Sequence, residues 1–128
     1  MYSDCVLVIE DDPSLGPLVQ IVLEAKGFRV LRATTAVDAL RIWEETGHAI
    51  PVALVDLTLE REMKGEALAR QFISENPSLK VIITSGRLLW PETEYRGFPN
   101  ASYLQKPFTI AELVRVVQSA FQSPRKPT

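Results

Sequence analysis

One cysteine, Cys5, is the whole thiol content of this 128-residue chain, so no disulfide can form within it. Cys5 opens an apolar stretch and reads as a small buried side chain. Histidine is equally scarce. His48 stands alone in the polar segment GHAI, with no Cys or His beside it, and reads as a surface residue, not a ligand. No apolar run approaches the length of a membrane span. The start, MYSDCVLVIEDD, lacks the basic opening and small-residue cleavage site of a secretory leader. Lys/Arg clusters are missing apart from the tail PRKPT, and the formal net charge is −2, so nothing points to nucleic acid. No internal repeat or low-complexity stretch occurs. The expectation is a cytoplasmic protein that engages neither a membrane nor nucleic acid.

What remains is an ordinary globular balance, with 46% apolar and 23% charged residues. The length suits one domain that buries roughly two-thirds of its unfolded surface. That domain is expected over residues 1–123, with 124–128 as a tail or the start of a linker. Five short apolar runs are expected as strands: Cys5–Ile9, Phe28–Leu31, Val52–Val55, Val81–Thr84 and Ser102–Leu104. The first, third and fourth are nearly all apolar, as strands are when helices cover both faces of a parallel sheet.

Between the runs the period changes to that of a helix. Leu15, Leu18, Val19 and Val22 form one stripe, closed by Gly27. Its start is open: Asp12 reads as an N-cap before Pro13, or the helix begins later with Ser14 as cap, which would ease Pro17. Ala36, Ala39, Leu40 and Trp43 form a second stripe, and Leu68 and Phe72 mark a third. In the last helix, Thr109 and Glu112 form a capping box, and Ile110, Leu113, Val114, Val117 and Phe121 line one face. The segment RLLWPETEYRGFPN, with Pro91 and Pro99, predicts a short or irregular helix. Alternating strands and helices imply an α/β, doubly wound parallel sheet with helices on both faces and ligand chemistry at the carboxyl ends of the strands.

The polar residues fall at those ends. Glu10, Asp11 and Asp12 follow the first strand and Asp56 the third. Thr84 and Ser85 end the fourth, and Lys106 follows the fifth. Carboxylates crowded on one edge repel, which raises the pKa of at least one unless a cation balances them. A hard divalent ion with oxygen ligands, such as Mg²⁺, suits such a set.

The segments VLVIEDD, VALVDLTL, VIITSG and YLQKPF, in this order and at these separations, resemble the receiver domain of two-component response regulators, and are most similar to receivers attached to hybrid histidine kinases. The resemblance covers almost the whole chain. It implies a flavodoxin-like strand order 2-1-3-4-5 and a signalling role in which Asp56 takes a phosphoryl group from a histidine kinase or histidine phosphotransfer protein. It also implies that Asp11 ligates Mg²⁺ directly, Glu10 acts mostly through water, and Asp56 and the Thr58 carbonyl complete the set. Lys106 would pair with Asp56 and then with a phosphoryl oxygen. Ser85 would be the switch hydroxyl and Tyr103 the aromatic that turns inward behind it. The Lys106–Pro107 peptide is cis in the family. The chain would be no enzyme beyond catalysing its own phosphorylation, and its output a protein surface, with a homodimer or a downstream protein both open as partners.

Two features depart from the family. Glu60 stands where a proline is usual, four residues after Asp56, and the loop before Gly65 is one residue longer. Thr58 and Arg87 flank the expected approach of the hydrolytic water. Three rival readings carry different chemistry. An aspartate-nucleophile phosphohydrolase wants a second aspartate where Thr58 stands. A flavin carrier wants a phosphate loop, which EDDPSL would repel. A degenerate receiver would bind partners without phosphorylation.

Overall fold

The computed structural model describes residues 1–57, 65–86 and 101–122. Five strands, β1 (Cys5–Ile9), β2 (Arg29–Ala33), β3 (Val52–Asp56), β4 (Lys80–Ser85) and β5 (Ala101–Gln105), form one parallel sheet in the order β2-β1-β3-β4-β5. Four helices are described: α1 (Leu15–Ala25), α2 (Ala36–Glu45), α3 (Gly65–Glu75) and α4 (Ile110–Gln122). The helix expected within residues 87–100 lies outside the described residues.

Side chains alternate across a strand, so a strand apolar at every position needs a cover on each side. Both covers are present. Leu7 and Ile9 of β1, Ala53 and Val55 of β3, and Val81 and Ile83 of β4 pack under α2 and α3, against Ala39, Trp43, Leu68 and Phe72. The alternate residues Val6, Val8, Val52, Leu54, Ile82 and Leu104 pack under α1 and α4, against Val19, Leu23, Leu113 and Val117. Trp43 and Phe72 are fully buried and stack with ring centroids 4.4 Å apart, which joins α2 to α3. Truncating either to alanine removes about 3–5 kcal/mol.

Local signals set the helix ends. The Thr109 hydroxyl accepts from Glu112 N–H at 3.0 Å, and the Glu112 carboxylate accepts from Thr109 N–H at 2.9 Å, a reciprocal cap for α4. At α1 the helix begins late, at Leu15, with Ser14 in the cap position but making no side-chain cap bond. Asp12 does that work: its Oδ1 accepts from the N–H of Ser14 at 2.7 Å and of Leu15 at 3.1 Å. Pro17 thus falls in the first turn, where its missing N–H costs nothing.

Some expected core positions lie at the surface. Leu18 is 47% exposed and Ile110 56% exposed. On α1 the buried arc runs through Gly16, Val19 and Leu23, and Leu18 lies one step around the helix from it. Ile110 is the first residue of α4, before the buried positions begin at Leu113. Strand β2 starts one residue after the expected Phe28, which instead stacks on Phe121 at 4.9 Å.

Candidate functional site at the carboxyl ends of the strands

The parallel register places the ends of the central strands side by side. Ile9 pairs with Val55, and Asp56 with Thr84. The chain turns polar just there, so Glu10, Asp11, Asp56, Ser85 and Lys106 share one edge of the sheet. Backbone bonds hold the turns: Glu10 N–H donates to the Ala33 carbonyl, Leu57 N–H to the Thr84 carbonyl, and Lys106 N–H to the Ser85 carbonyl at 2.8 Å.

Carboxylate oxygens of Glu10, Asp11 and Asp56 all lie within 4.8 Å of one another. Glu10 and Asp56 are buried, whereas Asp11 faces solvent. The Lys106 ammonium reaches into this group, with Nζ 2.7 Å from Glu10 Oε1 and 3.2 Å from Asp56 Oδ2. The other Glu10 oxygen accepts from Asp12 N–H at 3.1 Å. Burial pushes the Glu10 carboxyl above its ordinary value, against the opposing pull of its hydrogen bonds from Lys106 and Asp12. Burial also works against the Lys106 charge, yet the Glu10 and Asp56 carboxylates outweigh it and hold that lysine above its ordinary value. Sequence reasoning paired Lys106 with Asp56 and missed its shorter contact with Glu10. No sequence signal identifies which of two nearby carboxylates a long side chain will meet.

Ser85 ends β4 and is fully buried. Register pairs it with Gln105, so by alternation Ser85 and Tyr103 project from the same face of the sheet. Tyr103 is 42% exposed on β5. The Lys106–Pro107 peptide is cis. Beside it an open groove of ≈ 550 Å³ runs from Lys106 past Pro107 and Phe108 to Leu15 and Leu18 of α1. Thr58, Glu60, the longer loop before Gly65, and Arg87 lie outside the described residues. The donor set is all oxygen, three carboxylates of which Lys106 meets two, and it fits a hard divalent cation such as Mg²⁺.

Comparison with known proteins gives the arrangement a family. The profile of the response regulator receiver domain matches residues 6–118. The chain is 29% identical over 124 residues to the sensor kinase CckA of Brucella abortus, covering 94% of this chain and 13% of that protein. It is 32% identical over 111 residues to a response regulator receiver protein of Anaeromyxobacter, covering 86% of this chain and 42% of that protein. An uncharacterized 14.6 kDa protein of Leptolyngbya boryana is 31% identical over 119 residues, with 88% and 86% covered. The chain thus spans less than half the length of the first two relatives. Among solved structures, a receiver domain protein from Clostridium thermocellum superposes with a TM-score of 0.81 at 26% identity, over 92% of this chain and 94% of that one. No described helix is long and apolar enough to cross a membrane. With the strand order, the acids and the lysine in agreement, the chain belongs to the response regulator receiver domain family and is a receiver domain of two-component signal transduction.

Proposed function

We propose that Asp56 is the phosphoacceptor and that Glu10, Asp11, Lys106 and Ser85 form the machinery around it. The observation that carries this reading is the Lys106 ammonium held between the buried carboxylates of Glu10 and Asp56, with Asp11 alongside. An Asp56 carboxylate oxygen attacks the phosphorus of a phosphodonor in line, the bond to the donor's leaving atom breaks, and an acyl phosphate forms. Lys106 is a compact charge on a flexible stem, able to follow the phosphoryl oxygen while its backbone stays tied to Ser85. Asp11 and Asp56, with Glu10 and the Thr58 carbonyl, would hold Mg²⁺. When bound, that ion offsets the negative charge spread over the phosphoryl oxygens.

The buried Ser85 hydroxyl and the half-exposed Tyr103 ring form the element that phosphorylation biases, because they share a face and differ in exposure. A histidine kinase or histidine phosphotransfer protein is the donor, and its phosphohistidine approaches past the groove between Phe108 and Leu18. The domain spans residues 1–123 and works in the cytoplasm as a phosphorelay component, with no turnover of its own beyond self-phosphorylation. The output is a protein contact, through a second copy or a downstream protein. Incubation with acetyl phosphate and Mg²⁺ should add one phosphoryl mass to the protein and none to Asp56→Ala. Equal labelling of the two would overturn the assignment.

A further inference from the structure

A second group of side chains with metal-ligating atoms lies at the opposite, amino-terminal edge of the sheet. Glu44 is in the last turn of α2, His48 sits in the turn that follows, and Glu75 ends α3. Their ligand atoms, two carboxylate oxygens and an imidazole nitrogen, all lie within 4.8 Å of one another. His48 Nε2 is already 3.0 Å from Glu44 Oε1.

The group is held from below by the core. The His48 ring stacks on fully buried Trp43, with centroids 5.2 Å apart and planes 9° from parallel. Trp43 Nε1 donates to Glu75 Oε1 at 2.9 Å, so the same indole orients a second member of the group. The His48 backbone is tied at both ends. Its N–H donates to the Trp43 carbonyl at 3.0 Å, and its carbonyl accepts from Asn76 Nδ2 at 2.9 Å. His48 takes φ 59°, a left-handed conformation that is costly for most residues.

We propose that Glu44, His48 and Glu75 form a binding site for a borderline divalent cation of the zinc class, separate from the carboxylate cluster at Asp56. One imidazole nitrogen and two carboxylates, with an open position for water, is a donor set zinc accepts, whereas Mg²⁺ prefers oxygen alone. Tetrahedral zinc with ligands at about 2.0–2.2 Å needs donors about 3.3–3.5 Å apart. Both glutamates are exposed, so their carboxylates are the groups that would rotate to close the remaining gap. The ion sits between His48 Nε2 and Glu44, and the stack on Trp43 holds the ring in place. Bound there, it ties the end of α2 to the end of α3.

His48 is the chain's one histidine, so its ring nitrogens are a probe that needs no assignment. Zn²⁺ should be titrated into the full chain in excess Mg²⁺, which occupies the all-oxygen cluster. The Nε2 resonance should shift with saturable one-to-one binding. His48→Asn keeps the fold, because asparagine tolerates the left-handed backbone, and should lose the binding. Glu44→Gln and Glu75→Gln should each weaken affinity at least tenfold, and the amide oxygen introduced by Glu75→Gln can still accept from Trp43. Zn²⁺ should raise the Tm of the wild type and not of His48→Asn. An unmoved imidazole, or binding unchanged in His48→Asn or in both glutamine variants, would overturn the proposal. Each readout is independent of phosphorylation at Asp56.

Discussion

Replacing Gly65 with alanine should both destabilise the protein and slow phosphorylation. Helix α3 starts on the backbone of β3's last residue. A Cβ at Gly65 would collide with the Asp56 carbonyl oxygen, and would lie 2.9 Å from the Asp56 carbonyl carbon and 3.1 Å from Leu57 Cα. These are backbone atoms, so no side-chain rotation relieves them. Leu57 is further pinned by its bond to Thr84. Gly65 lies outside the left-handed region, so alanine introduces no torsional strain. In open space it would stabilise the helix by up to about 1 kcal/mol. Forcing a methyl into close-packed backbone costs about 1–3 kcal/mol, and rigid neighbours push this to the upper end. The net expectation is a loss of about 1–2 kcal/mol, or a Tm lower by about 3–8 °C. The displaced atom belongs to Asp56. Because a 1 Å misplacement costs about a hundredfold in rate, a shift of a few tenths should slow labelling several-fold. Urea unfolding and timed intact-mass labelling with acetyl phosphate measure both effects. Gly47→Ala is the control: Gly47 has φ 63° and open space around its Cβ, far from Asp56, so it should lose stability and keep its labelling rate. A Gly65→Ala protein as stable as wild type, or labelled at the wild-type rate, would refute the reasoning.

Other perturbations test neighbouring parts. Asp11→Ala should weaken Mg²⁺ binding more than Asp12→Ala, because the Asp12 carboxylate is committed to the start of α1; calorimetric titration of both decides, and equal losses would reject the division. Lys106→Met leaves two buried carboxylates without their cation and should cost about 3 kcal/mol, read by urea unfolding. The Lys106 pKa is raised on folding, so its contribution is complete below the ordinary lysine value and lost as pH rises through the elevated one; wild-type stability should fall in alkali more steeply than that of Lys106→Met. The Glu112 carboxyl is held below its ordinary value by the Thr109 N–H, so the α4 cap is complete above that ordinary value and lost as pH falls through the depressed one; Glu112→Gln should flatten the acid limb of the stability curve.

The strands were legible because β1, β3 and β4 are apolar at successive positions, a pattern with no solvent-facing solution. The site edge was legible because polarity switches abruptly after Ile9, Val55 and Leu104. Helix faces were less so. Leu18 fits a helical stripe as well as Leu23 does, and only the direction from which the sheet approaches α1 separates them. The Lys106 contact with Glu10 depends on the path of a long flexible side chain. The grouping of His48 with Glu75 depends on how α2 docks on α3 through Trp43 and Phe72. Neither leaves a local trace in the sequence.

Three consecutive acids, Glu10, Asp11 and Asp12, point three ways: into the buried lysine pair, into solvent at the carboxylate cluster, and back onto the start of α1. Their order therefore carries information that their charge does not. Exchanging Glu10 and Asp11 leaves composition and net charge untouched. It shortens the arm that reaches Lys106 and lengthens the one at the rim, so an electrostatically silent permutation should still disturb the site. Shifting the triplet one residue toward the amino terminus would also remove the carboxylate from position 12 and leave α1 without its anchor. The turn behaves as an ordered address, in which the same functional group has three destinations set by position alone.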